Sequence, residues 1–222
     1  MEISISNFSK KFRNKQVFIK QSLKLNLNDK KITFITGENG SGKTTLMKII
    51  AGILFVSSGT FEKISGLDYF SWSKENCYYV SSTERGLTYK LTGVENIIAL
   101  CSLKGSSKDE ILDKLKRYAP LFDAEKILNK RIEELSTGQK RKIHILSAFC
   151  SPSKVLLLDE PSIGLDDHNL ELLIKNIKYF NVSGNKKIII ISHENLLKEK
   201  LMEEEIHIDS DNRISSRNRS VL

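Results

Sequence analysis

The sequence predicts an α/β fold: a core of mostly parallel strands with flanking helices, an antiparallel β region at the amino terminus and an inserted α-helical lobe. Three observations carry this. The all-apolar runs Val155 to Leu158 and Ile188 to Ile191 suit parallel strands covered on both faces. Alternation in Glu2 to Phe8 and in Ser22 to Leu27, with Leu23, Leu25 and Leu27 on one side, suits antiparallel strands. From Leu91 to Leu135 no strand-like run occurs, and two capping boxes, Thr92 with Glu95 and Ser107 with Glu110, mark helix starts.

Taken in order, the first two strands are joined by the basic turn KKFRNK. Phe12 sits there among Lys10, Lys11 and Arg13, and its ring either stacks on a flat partner or folds onto the strand edge. Lys31 to Thr36 reads as a strand, Gly37 to Thr45 as a loop, and Leu46 to Ala51 as a helix stopped by Gly52. Gly59 to Ile64 and Cys77 to Val80 read as short strands before the lobe begins. Beyond Leu135 the alternation returns. Ser136 to Ser151 is a helix ended before Pro152, Lys154 to Asp159 a strand, Asp167 to Phe180 a helix and Lys187 to Ser192 a strand. Glu194 to Met202 is helical and Glu205 to Asp209 a short strand. The polar tail after Ser210, with Arg213, Arg217 and Arg219, has the composition of a partly disordered segment. The expected organisation is one domain over 1–222: a core from 1–90 and 136–209, the helical lobe 91–135, and the tail 210–222.

Composition narrows the function. A chain of 222 residues, 40% hydrophobic, can bury a sizeable core. The net charge of +8 comes from scattered basic residues interspersed with 27 acidic ones, which describes a solvated surface and no nucleic-acid stripe. Cys77, Cys101 and Cys150 lack the spacing of a metal or redox motif and read as reduced thiols in a cytoplasmic protein. The start, MEISISNF, lacks the pattern of a leader, and the longest apolar runs are far short of a membrane span, so the chain is expected neither to enter nor to cross a bilayer by itself.

The chemistry is concentrated in a few segments. In GENGSGKTT, Gly37, Gly40 and Gly42 allow a tight turn whose N–H groups converge on phosphate oxygens, and the following helix adds its N-terminal dipole. Glu38, Asn39 and Ser41 fill the loop, Lys43 reaches the β and γ phosphates, and the Thr44 hydroxyl, followed by Thr45, holds a bridging Mg²⁺. In VLLLDEP, Asp159 and Glu160 stand at the carboxyl end of a buried strand, where ligands of open parallel sheets collect. Asp159 is placed to support Mg²⁺ through water and Glu160 to orient or deprotonate the attacking water; a plain strand end before Pro161 is the alternative. His193, just after KIIIIS, is either a γ-phosphate contact or a structural histidine. LSTGQ offers a second anion-binding helix start at Ser136 and Gly138, while Ser136 with Gln139 also fits a capping box.

In their order and spacing GENGSGKTT, LSTGQ, VLLLDEP, SIGLD and ISH resemble the ATP-binding subunit of an ATP-binding cassette (ABC) transporter, from Phe12 to His193. The resemblance implies a P-loop NTPase core and an ATPase that drives transport through separate transmembrane permease subunits. It would be peripheral at the cytoplasmic face of the membrane, using ATP and Mg²⁺. It also implies a head-to-tail dimer with a second cassette, the same or different, sandwiching two ATP molecules. By position, Phe12 corresponds to the adenine-stacking aromatic, Gly37 to Thr45 to the phosphate loop, and Ser136, Thr137, Gly138 and Gln139 to the signature read by the opposite subunit. Asp159 and Glu160 correspond to the Mg²⁺-supporting and catalytic acids, Asp166 to the inter-site loop and His193 to the switch histidine. Two positions depart from the family pattern. Thr137 replaces a glycine, and Ser82, in YYVSSTERG, stands where the family has a Mg²⁺-ligating glutamine. A hydroxyl ligates on a shorter arm, which bears on hydrolysis and coupling more than on binding. The segment YKLTGVEN inclines the reading to export. The alternatives from other classes are a soluble cassette ATPase acting on ribosomes or DNA, against which stands the lack of repeats or heptads, and a low-turnover ATP-gated module, motivated by Ser82.

Overall fold

The computed structural model describes residues 1–13, 15–29 and 31–218, so Asn14 and Arg219 lie outside the described residues. The amino-terminal alternation forms the hairpin β1 (Glu2–Phe12) and β2 (Lys15–Asn26), with β4 (Ser58–Phe61) on the other edge of β1. The antiparallel register sets Ile3 opposite Leu25 and Ile5 opposite Leu23, and all four are buried. Phe8 and Phe18 meet edge to face, 5.6 Å between centroids, and close this layer.

The second sheet has the order β5-β6-β7-β3-β8-β9. Its strands are β3 (Thr33–Gly37), β5 (Cys77–Val80), β6 (Val155–Asp159), β7 (Lys187–Ile191), β8 (Glu204–Ile208) and β9 (Ile214–Asn218). The first five are parallel and β9 runs antiparallel on β8. The apolar runs are buried on both faces, as expected. Leu156, Leu158, Ile188 and Ile190 belong to one core layer, and Val155, Leu157, Ile189 and Ile191 to the other.

Within the tail expected to be partly disordered, Ile214–Asn218 is an edge strand, while 219–222 lie outside the described residues. The Asp209 carboxylate accepts the Asp211 and Arg213 amides (2.9 and 2.8 Å), which shapes the turn, and the Ile214 amide donates to Gln21 Oε1 of β2 (3.0 Å). An edge strand needs only backbone pairing, so its polar, exposed side chains leave no apolar pattern to read. A helix the pattern did not announce, α2 (Tyr69–Asn76), begins at Asp68, whose carboxylate accepts the Phe70 and Ser71 amides. Its apolar residues are aromatics that pack on Phe55 and Phe61 rather than forming a regular aliphatic stripe.

The remaining helices are α1 (Lys43–Ile50), α3 (Gly93–Ser102), α4 (Lys108–Tyr118), α5 (Thr137–Cys150), α6 (Asp167–Val182) and α7 (Asn195–Leu201). Both expected capping boxes of the lobe are formed. After α4 the chain continues as three short 3₁₀ turns, and Ile97, Ile111, Leu115 and Phe122 share one apolar layer with Ile143 and Phe149 of α5. The lobe is thereby fastened to the helix that begins at LSTGQ. All three cysteines are buried and free, and burial pushes the Cys77 and Cys101 thiols up to about 12.

His144 of α5 is buried, and desolvation, with the neighbouring Arg141 charge, lowers its pKa from 6.5 to about 4. Below pH 6.5 the unfolded chain therefore binds a proton that the folded chain refuses until about pH 4, so stability falls as pH drops through this window. The full shift corresponds to roughly 3 kcal/mol. Urea midpoints of the parent and of His144→Gln, compared at pH 7 and pH 4.5, should show a smaller acid loss in the variant. Equal losses would remove His144 from the acid response.

Candidate nucleotide-binding site

Strand β3 delivers the chain at Gly37, and α1 leaves from Lys43 with Gly42 as its N-cap in the left-handed region, φ 103°. No side chain caps this helix start, so its first amides remain available to an anion. Glycine is obligatory at 42 for a second reason: a Cβ there would lie 2.8 Å from the Phe18 ring and 2.9 Å from Val17 Cγ1. The hairpin thus presses directly against the loop. Lys43 curls back so that Nζ donates to the carbonyls of Gly37 (2.9 Å) and Glu38 (2.8 Å). Partial burial lowers its pKa, against the opposing influence of the Glu160 charge.

The carboxyl end of β6 brings two acids to this loop. Asp159 is buried; its carboxylate accepts from Thr44 Oγ1 at 3.2 and 3.5 Å and from the Tyr79 hydroxyl of β5 at 2.9 Å. Burial, then the Asp159 charge, raises the Tyr79 pKa and keeps the phenol a donor. Glu160 lies in the left-handed region, φ 50°, which is strained for a residue with a side chain. Its amide donates to Ile191 O (2.8 Å), and its carboxylate accepts the His193 amide (3.1 Å) and stands 3.5 Å from His193 Nε2.

Gly42, Lys43, Thr44, Asp159, Glu160 and His193 line one cleft of about 450 Å³ between the loop and the ends of β6 and β7, together with Asn39, Gly40, Thr45, Ser82 and Ile163. Of the remaining expected residues, Glu38 lies on the loop, and Ser41 is buried in it, its hydroxyl without a partner. Phe12, Ser136 to Gln139 and Asp166 are outside this cleft. Phe12 stands at the hairpin tip, 42% exposed, with Lys10 Nζ 4.7 Å from its ring centre. Ser136 and Gln139 form a reciprocal capping box at the start of α5, Gln139 N to Ser136 Oγ at 3.3 Å and Ser136 N to Gln139 Oε1 at 3.1 Å. Asp166 caps α6 by accepting the Asn169 amide at 2.8 Å. A Cβ on Gly138 would lie 2.3 Å from Gly164 O, so the start of α5 is pressed against the SIGLD loop. Two residues of the site escaped the sequence reading, Tyr79 and Arg141. The available signals were a phenol opposite Tyr78 in the alternation of β5, and an arginine in a helix whose other inward residues are mostly apolar.

The glycine loop and bare helix start fit a polyphosphate, and Lys43 has only carbonyls to leave. Thr44 and Asp159 present neighbouring oxygen donors, the ligand chemistry of a small hard cation, and these residues fit Mg²⁺.

The family model described as "ABC transporter" matches residues 20–163. The tungstate uptake system ATP-binding protein TupC of Peptoclostridium acidaminophilum is 32% identical over 193 residues, 87% of each chain. The lipoprotein-releasing system ATP-binding protein LolD of Buchnera aphidicola subsp. Schizaphis graminum is 28% identical, over 85% of this chain and 86% of its own. The dimeric structure of MJ0796, a bacterial ABC transporter cassette, superposes with a TM-score of 0.81 at 21% identity, covering 98% of this chain and 99% of that one. With a family match over most of its length and a relative of this similarity, the chain belongs to the ABC transporter family as an ATP-binding ATPase subunit.

Proposed function

We propose that the cleft is the hydrolytic half-site of a cassette that pairs head to tail with a second cassette and drives a substrate through separate membrane-spanning subunits. The observation that carries this is the acid pair: Asp159 buried against Thr44 and Tyr79, and Glu160 turned into the cleft beside His193. The amides from Gly40 to Thr45 bind the phosphates, and Lys43 exchanges its two loop carbonyls for phosphate oxygens. Thr44 and Asp159 would hold a Mg²⁺, which would supply neutralisation of phosphate charge. Glu160 orients the attacking water and accepts its proton. His193, bound to the same carboxylate, reports on the γ-phosphate. Ser136 to Gln139 of the second cassette closes over the phosphates, and Phe12 stacks on the adenine. Exposure of Phe12 and the absence of Ser136 from the cleft of its own chain support this division.

A groove of about 220 Å³ between core and lobe, lined by Ile53, Tyr78, Leu100, Leu103 and Lys104 among others, supports docking of a cytoplasmic segment of the membrane subunit. Leu103 is 79% exposed there. Among the described residues no helix is long and apolar enough to cross a membrane, in keeping with separate spanning subunits. TupC belongs to an uptake system and LolD to a releasing system, so such cassettes serve both directions, and export rests on the YKLTGVEN segment alone.

With Glu160→Gln, hydrolysis should fall by about a hundredfold or more while MgATP binding persists. That variant should elute as a dimer at saturating MgATP, because filled shared sites stabilise the pair; a monomeric profile would refute the shared site. Ser82→Ala should lower kcat about fivefold, the equivalent of one hydrogen bond, with little change in ATP affinity. Ser82→Gln should be neutral or activating. Parental turnover in Ser82→Ala would remove that hydroxyl from the metal site.

A further inference from the structure

The catalytic turn is held by a group that the nucleotide-site motifs do not include. Arg141, on the second turn of α5, is only 6% exposed, and among the described residues no carboxylate lies within ion-pair distance of it. Its guanidinium instead donates to four backbone carbonyls on two segments. Nη1 reaches Ser81 O at 2.6 Å, and Nη2 reaches Ser82 O at 3.1 Å, Asp159 O at 3.4 Å and Glu160 O at 2.7 Å. Burying a cation against neutral oxygens is costly, and only the fork of arginine donors can serve so many carbonyls at once.

Two consequences follow from these distances. Glu160 holds its left-handed conformation with four anchors: its amide on Ile191 O, its carboxylate on the His193 amide, and its carbonyl on the Ile163 amide at 3.3 Å and, more tightly, on Arg141 at 2.7 Å. Removing Arg141 takes away the shorter of the two bonds on that carbonyl and loosens the backbone that aims the carboxylate. The same guanidinium also grips the Ser81–Ser82 loop. That loop leads to Arg85 and Gly86 in the groove proposed for the membrane subunit, while Arg141 itself lies on the helix that starts at Ser136. A displacement of the loop is therefore passed through the guanidinium to the turn that carries Glu160.

We infer that Arg141 is a positioning residue for ATP hydrolysis, which locks the Ser81–Ser82 loop to the Asp159–Glu160 turn and so sets where the Glu160 carboxylate stands. This rests on the reading of Glu160 as the acid that handles the attacking water, and Glu160→Gln is the control for that reading.

The test measures steady-state hydrolysis, MgATP affinity and thermal unfolding of the full chain for the parent, R141K, R141Q and E160Q, at protein concentrations high enough for cassettes to pair. Lysine keeps the charge but lacks the planar fork. R141K should lose about tenfold in kcat and R141Q about a hundredfold, the range expected for charge-assisted hydrogen bonds, with MgATP affinity within about twofold of the parent. R141K should also unfold within a few degrees of the parent. Parental kcat in R141K and R141Q would overturn the inference. So would an R141K that loses affinity in proportion to rate, or that fails to fold, since either makes Arg141 a scaffold residue only. If R141Q alone fails to fold, R141K decides. If E160Q turns over like the parent, the reading of the acid falls, and with it the ground for Arg141, whereas an inactive E160Q beside fully active arginine variants sinks only the Arg141 inference.

Discussion

The structure depends on an uncapped helix start. The first amides of α1 receive no side chain, and their N-cap at position 42 must be glycine because the hairpin behind it leaves no room for a Cβ. Everything that surrounds this helix start answers the field it creates. Lys43 adds positive charge and rests on two loop carbonyls. Asp159 and Glu160 bring negative charge from the neighbouring strand end, and each is tied by hydrogen bonds so that neither collapses onto the ammonium. A polyphosphate entering such a cleft meets amides and Lys43 on one side and two carboxylates on the other, which is why a divalent cation belongs between them in the proposed reaction.

The fold was legible wherever burial imposes a period. Val155 to Leu158 and Ile188 to Ile191 are covered on both faces, so their apolar runs identify central parallel strands directly. The capping boxes at Thr92, Ser107 and Ser136 were legible for a different reason, since each is a local bond between residues three apart. β9 was not legible, because its pairing with β8 is a backbone event at an edge and leaves polar side chains in water. The candidate site shows the same division. Residues acting through sequence-local geometry, such as Gly42, Lys43 and Thr44, could be read from the chain. Tyr79 and Arg141 act across the fold on a carboxylate and on carbonyls, and no spacing along the sequence records that.

The departure at Ser82 looks different once those two residues are included. Where the resemblance implies a glutamine, Ser82 offers a shorter arm toward the proposed metal. This chain fastens the segment by its backbone instead, with the Arg141 guanidinium on the carbonyls of Ser81 and Ser82, and it holds Asp159 from the preceding strand through the Tyr79 hydroxyl. The loop is thus held from α5, the helix whose N-cap is Ser136, the residue proposed to face the second cassette. The Ser81–Ser82 loop, the Asp159–Glu160 turn and α5 thus meet at one buried guanidinium.

The claim that organises this account is that each ATP is hydrolysed between two chains, by the loop of one and the signature helix of the other. Lys43→Ala and Ser136→Arg each damage both sites of a homodimer and should be nearly inactive alone. Mixed, they place both defects in one composite site and leave the other whole. The decisive measurement is the ATPase rate of an equimolar mixture of the two variants, made once the parent chain has shown a rate that rises more steeply than linearly with its own concentration. Shared sites predict that the mixture regains a clear part of the parental rate; a mixture as inactive as its two components would contradict them.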